Sequence, residues 1–351
     1  MSISRIVLNE APGETRAAAF DEAGQAAGLF LQRWSGDGQP VRAGEIVSAR
    51  LRQSDAKQGG AFFETAGGER IFVRGDVPKG LSEGAETTLE VRAEARHGKL
   101  ARAAFTKLEP THSFDAFAAW LDGLPGQLPK PETAADAEDL DAIEAAFDEA
   151  LSPAVGLARG GLIRLERTAA LIAIDIDSAG RNRKGSAAAR ALSINKEAVE
   201  AAARQIALRD WGGLIVIDCL APLTAEARTQ LRDAFLAAFQ SVSARKVEAL
   251  KPSRFGLLEA KIAWGASPVE DRLLDETGQK TADTELLGLF RDAARQAAAD
   301  RTAFFRLTLS PRALRAYNAR RNDCDAILNS ACSGRVSIAS GTGEQSVVRR
   351  A

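Results

Sequence analysis

Two apolar runs end in acid. Ala169–Ile176 carries Asp175 near its end, and Gly212–Ile217 runs straight into Asp218. Uninterrupted apolar runs of this length read as strands buried in a parallel sheet. A right-handed crossover between two such strands places their carboxyl ends side by side or one strand apart. That rim is where open α/β sheets bind ligands. Asp175 and Asp218, with Asp177 two residues further on, would form a hard-oxygen set there. Mg²⁺ suits such a set, because it takes one or two carboxylates and completes its shell with water and phosphate oxygens. The matching chemistry is metal-assisted attack of water on a phosphodiester. A lone aspartate at a strand end also serves as a turn former or helix cap. The occurrence of two, on consecutive predicted strands, brings the catalytic reading level with that one.

A basic loop, with Arg181, Arg183 and Lys184, follows the first aspartates. Charge alone favours a solvated surface loop; its position at that rim points instead towards neutralising phosphates. Upstream, Phe62, Phe63 and Phe72 fall on adjacent predicted strands, and Lys99 and Arg102 on a later one. Bases stack on exposed aromatic rings at ~1–3 kcal/mol each. Strand alternation puts Phe62 and Phe63 on opposite faces, so one belongs to a core and the other is free to be a platform.

The elements that must position these residues follow from periodicity and turn chemistry. Residues 1–38 read as short strands (Ile6–Leu8, Ala17–Phe20, Gly28–Leu31). Residues 39–108 read as five strands, Glu45–Leu51, Gly60–Glu64, Arg70–Val73, Thr87–Ala93 and Leu100–Lys107, which fits an OB-type barrel. Residues 109–150 form a proline-bearing connector with a short helix around Phe114–Leu121 and an acidic helical stretch after it. Residues 151–265 alternate strand, helix, strand and helix, with Val199, Ala202, Ala203 and Ile206 at helical spacing and Thr224 as a cap. Residues 266–351 read as a smaller αβ unit: Asp283 caps a helix, Phe304–Leu309 is a strand, and Ser310-Pro311 opens another helix. The fold class is therefore multidomain, α+β with an α/β centre.

Composition narrows the alternatives. The 351 residues carry a net charge of −1, and the pI is about 6.3, so any nucleic-acid site rests on local clusters. The three cysteines, Cys219, Cys324 and Cys332, form no CxxC pair, which argues against a disulfide framework or a thiolate zinc site. No signal-peptide order opens the chain and no apolar run reaches the ~18 residues needed to span a bilayer. A cytoplasmic protein without a membrane partner is expected. The strand-to-helix turns lack GxGxxG and GKS/T phosphate loops, which weakens a nucleotide-binding α/β enzyme.

Three long segments together resemble the ribonuclease E/G family. They are Gly160–Ile163 continuing at Thr168–Ala179, then Ala203–Asp218, then Ser253–Glu259. The resemblance implies a DNase I-like αβ catalytic core, with metal-binding aspartates at Asp175 and Asp218. It implies a supporting role at Asp177, where the family has Asn, and base-stacking and RNA-contacting roles at Phe62, Phe72 and Lys99. The implied activity is Mg²⁺-dependent endonucleolytic hydrolysis of single-stranded RNA, leaving 5′-phosphate ends, in RNA processing or decay such as ribosomal RNA maturation. Two departures are clear. The family's CPxC zinc link should follow Glu259, yet Ala263–Asp283 contains no cysteine, so no structural zinc and no zinc-linked assembly are expected. The family's long 5′-sensor region is replaced by residues 109–150, so cutting indifferent to the 5′ end is expected. The alternative is an RNA-binding protein of the same fold with weak or no turnover. Oligomeric state is open.

Overall fold

The computed structural model describes residues 2–34, 40–55, 57–96, 98–111, 113–179, 185–343 and 347–350. The chain opens with an antiparallel meander, β1 (Ile3–Ala11), β2 (Glu14–Asp21) and β3 (Ala26–Arg33). The alanines of β2 are buried on both faces. Val7, Ala18 and Leu29 join one core, and Ile6, Ala19 and Ala27 join that of the central sheet.

The second unit is a closed barrel of β4 (Ile46–Asp55), β5 (Gly60–Thr65), β6 (Arg70–Arg74), β7 (Glu86–Ala93) and β8 (Ala101–Phe105), in the order β4-β5-β6-β8-β7. All five expected strands form. The barrel closes through a parallel β6–β8 pair around Leu51, Phe63, Ile71, Leu89 and Val91.

The connector contains α1 (Ala116–Asp122), whose first N–H groups are capped by Asp115, then β9 (Glu132–Thr133) and α2 (Ala137–Leu151). β9 adds a parallel edge to β1. The central sheet follows: β10 (Ala154–Gly156), β11 (Leu162–Arg167), β12 (Ile172–Asp177), α3 (Ala187–Leu208), β13 (Gly213–Asp218), α4 (Ala225–Gln240), β14 (Val247–Ala249) and β15 (Leu257–Ile262). Its order is β10-β11-β12-β13-β15-β14. Thr224 caps α4 as expected, accepting from the Ala227 N–H at 3.1 Å.

Two expectations about this sheet need correction. It is mixed, because only β12 and β13 run parallel and their outer neighbours β11 and β15 are antiparallel. The strands are also covered on one face only. Ile172, Ile174 and Ile176 are buried under the helices, while Asp175 between them is exposed. The first residues of the apolar run, Ala169–Leu171, form the preceding turn around the Thr168 hydroxyl.

The chain ends in α5 (Val269–Leu273), α6 (Ala282–Ala299), β16 (Phe305–Leu309), α7 (Pro311–Ala319), α8 (Arg321–Cys332), β17 (Val336–Ser340) and β18 (Val347–Arg350). The three strands form one sheet, ordered β17-β16-β18, packed against α6. Thr281, not Asp283, caps α6; Asp283 lies in the first turn, where its charge complements the helix dipole. Among the described residues no helix is long and apolar enough to cross a membrane.

Candidate active site on the open face of the central sheet

β12 and β13 place Asp175 directly opposite Asp218 in register. Register partners in a sheet share a face, and adjacent strands lie roughly 5 Å apart. Both aspartates are exposed, whereas Ile174, Ile176, Ile217 and Cys219 beside them are buried. The two carboxylates therefore stand side by side on the solvent face, within reach of one hydrated cation. Asp218 is the last residue of its strand. β12, however, continues past Asp175 to Asp177.

The neighbours fix this arrangement. On the buried side, Asn195 of α3 is fully enclosed and clamps the segment after Asp218: its amide donates to the Leu220 carbonyl at 2.9 Å and its oxygen accepts the Leu220 N–H at 2.8 Å. A tight turn before β15 passes Asp218 at Gly256, whose φ is +92°. A β-carbon there would lie 2.9 Å from the Cys219 carbonyl oxygen and 3.9 Å from Asp218 Oδ1. This explains the glycine in the Ser253–Glu259 segment. The same turn holds Phe255 out at 90% exposure. On the other side, Gly161 lets its loop approach the Asp177 carbonyl, which a β-carbon would meet at 2.6 Å.

Asp177 is engaged in the turn that follows β12. Its Oδ1 accepts the Ala179 N–H at 2.8 Å, and its Oδ2 lies 3.9 Å from Arg164 Nη2. Among the described residues no group of three or more His, Cys, Asp or Glu side chains could hold a metal. Asp175 and Asp218 thus stand as a pair of carboxylates, with Asp177 tied into the turn that follows. Arg164, opposite Asp175 on β11, supplies an exposed guanidinium on the same face. Arg181, Arg183 and Lys184 lie outside the described residues. Burial pushes the Cys219 thiol up to about 12, which leaves no thiolate beside Asp218 at neutral pH.

On the barrel, Phe63 is core and Phe62 faces outward. Phe62 and Phe72 are register partners with ring centroids 5.2 Å apart, and Arg70 sits over the Phe62 ring at 5.3 Å. Gly60 makes room for the pair, because a β-carbon there would meet the Phe72 ring at 2.6 Å. Arg102 pairs with Phe72 on β8, while Lys99 is exposed in the preceding loop.

Phe255, Arg164 and Asn195 were not singled out from sequence. Phe255 had a usable signal, as a large aromatic between Arg254 and Gly256 in a turn. Arg164 and Asn195 gain meaning only through cross-strand and helix–strand contacts.

Residues 127–261 match the Ribonuclease E/G family. Over 117 residues the chain is 39% identical to Ribonuclease E of Haemophilus influenzae, a stretch covering 33% of this chain and 12% of that protein. The same length is 39% identical to Ribonuclease E of Escherichia coli, where it covers 11%. A chloroplastic Ribonuclease E/G-like protein of Arabidopsis thaliana is 40% identical over 82 residues, 23% of this chain and 8% of its own length. The matched stretch is thus a small part of each relative; the family match over residues 127–261 contains Asp175, Asp218 and the strands that carry them. Over residues 127–261 the chain is thus similar to the ribonuclease E/G family.

Proposed function

We propose that this protein is a divalent-metal-dependent endoribonuclease acting on single-stranded RNA, with Asp175 and Asp218 as the metal-holding pair. The observation that supports it is the in-register, solvent-facing placement of these two carboxylates. The residues present fit Mg²⁺, which is content with one or two carboxylates and otherwise keeps its water. When bound, it would supply Lewis acidity toward the scissile phosphate and activate water. Arg164 offers a cation to the phosphate on the same face, and Phe255 offers a flat apolar surface to a base beside Asp218. In-line attack would leave a 5′-phosphate and a 3′-hydroxyl. No zinc link is part of this reading. The units 1–38, 39–108, 109–150, 151–265 and 266–351, an OB-type barrel feeding a DNase I-like core, belong to the proposal, as do a cytoplasmic setting and a role in RNA processing.

The test is incubation of purified protein with an end-labelled AU-rich oligonucleotide, with and without Mg²⁺. Mg²⁺-dependent internal cuts support the enzyme. Binding without cuts at any metal concentration would instead make the chain an RNA-binding protein of the same fold.

Two further outcomes are expected. Phe62→Ala or Phe72→Ala should weaken oligonucleotide binding roughly 5- to 100-fold, the equivalent of ~1–3 kcal/mol per stacked base, as read by fluorescence anisotropy. Unchanged affinity would remove the barrel face from the RNA path. Second, matched substrates with 5′-monophosphate and 5′-hydroxyl ends should be cut at equal rates. A strong preference for the monophosphate would show that residues 109–150 retain end recognition.

A further inference from the structure

A cavity of about 210 Å³ lies away from the carboxylate pair, where β3, the barrel, α1 and the segments after α3 and α4 meet. Its apolar wall includes Phe30, Phe114 and Trp120; its polar side includes Asp210, Arg245 and Arg272. Asp210 is held in the left-handed region, with φ +56°.

The arginines spend their donors elsewhere. Arg245 donates to the Trp211 carbonyl at 2.8 Å and to the Ser243 hydroxyl at 3.3 Å, and Arg272 donates to the Leu31 carbonyl. No hydrogen bond reaches the Asp210 carboxylate among the described residues. Burial pushes this group up to about 6, against the opposing pull of Arg245 and Arg272. A carboxylate flanked by charge, without a hydrogen-bond donor among the described residues, on a residue that lines a cavity with an aromatic wall, is set to receive donors from outside.

The chemistry selects the ligand. The volume is below the roughly 300–1,000 Å³ of pockets for drug-sized molecules, so a single base fits better than a whole nucleotide. Two carboxylate oxygens match two adjacent N–H donors. Guanine presents such a pair, N1–H and the exocyclic N2–H, on one edge. Adenine and cytosine present one donor group beside an acceptor, and uracil has its donor between two acceptors. A guanidinium ligand would also offer paired donors, but as a cation it would face Arg42, Arg245 and Arg272.

We propose that this cavity is a guanine-recognition site in which Asp210 accepts from N1–H and N2–H while the base lies against the Trp120 side of the wall. The base comes either from RNA or from a free guanine nucleotide. The site does not depend on hydrolysis at Asp175 and Asp218.

The test is calorimetric titration of the full chain with GMP, IMP and AMP, without divalent metal so that cleavage cannot interfere. GMP should bind, IMP should bind at least about tenfold more weakly for want of the N2 donor, and AMP should bind no better than IMP; one good bidentate pair discriminates by roughly 10- to 100-fold. Asp210→Asn should lose that preference for GMP while remaining folded by circular dichroism. Affinity should fall as pH drops through about 6, where Asp210 protonates. Arg245, Arg272, Glu94 and Arg42 are the charged groups around it. A parallel series uses oligonucleotides with a single G, inosine or A. Discrimination by the oligonucleotides alone assigns the base to RNA, and discrimination by the mononucleotides assigns it to a free nucleotide. Equal binding within both series, or an undiminished preference in a folded Asp210→Asn, overturns the proposal. Should that variant fail to fold, the wild-type comparison of GMP with IMP decides.

Discussion

Asp175→Asn and Asp218→Asn should each lower Mg²⁺-dependent RNA cleavage by about a thousand-fold. A bound metal supplies several kcal/mol of charge stabilisation in the transition state, and each ~1.4 kcal/mol is tenfold in rate. Asn keeps the shape of Asp and removes the anionic oxygen that would hold the ion. Both aspartates are exposed, so thermal unfolding should barely move. Raising Mg²⁺ should partly rescue either single variant, which retains one carboxylate, and should not rescue the double variant. Asp177→Asn makes a useful contrast. Its carboxylate is occupied by the Ala179 N–H, and Asn can accept the same bond. It should therefore keep most of the activity. Single-turnover cleavage of a labelled oligonucleotide reads all four variants. Wild-type rates in both single variants would remove the carboxylate pair from the mechanism.

Glu14→Ala should be the most destabilising single substitution away from the cores, costing about 3–5 kcal/mol. The Glu14 side chain is fully buried and faces three guanidiniums. Arg16 donates to it at 2.7 Å, Arg33 at 3.1 Å, and Arg291 of α6 completes the group. Alanine would leave those cations with Glu144 as the remaining anion near Arg16 and Arg291. The chain would then lose the direct ion pair between its N-terminal meander and α6, leaving the Arg33–Thr284 hydrogen bond and the Glu144 bridge. Burial pushes the Glu14 carboxyl up, but Arg16, Arg291 and Arg33 together outweigh it and hold it below its usual value. A depressed carboxylate contributes stability above its unfolded-state pKa. That contribution fades as the pH falls through the usual carboxylate range and below. Urea titrations at pH 7 and pH 3 should show a large gap between wild type and Glu14→Ala at pH 7 and a smaller one at pH 3. A gap under about 1 kcal/mol at pH 7, the size of a surface pair, would show that the cluster is not sealed from water.

The elements were largely legible from sequence, because alternation and helical spacing are local signals. Leu231, Phe235 and Ala238 fall on the buried face of α4, and the five barrel strands form where turn residues bracket them. What could not be read locally was which neighbour covers which face. The run Ala169–Ile176 looked uniformly apolar because alanines at its start hide the alternation. Ala169 and Ala170 sit in an exposed turn, and the strand proper buries only every second residue. The antiparallel flanks β11 and β15 are legible only as family-like segments, since nothing in their own residues says which way they run. α8 was missed because Asn322, Asp323, Asn329 and Ser330 are weak helix formers; its helical state follows from packing Cys324, Leu328 and Cys332 under α6. For the site, aspartate pairing was legible. Asn195 and Arg164 were not, because their roles exist only across chain separations that sequence spacing does not encode.

The alignment of β12 with β13 has one more consequence. Side chains along a strand alternate with a period of two, so slipping β13 by a single position would turn Asp218 inward and Ile217 out to water. The frame that brings the two acids together is the same frame that buries the isoleucines. A one-residue insertion in either strand would therefore ruin the interior and part the two acids at once, while a chain that settles its interior correctly has already assembled them. In this protein, folding doubles as quality control for the acid pair.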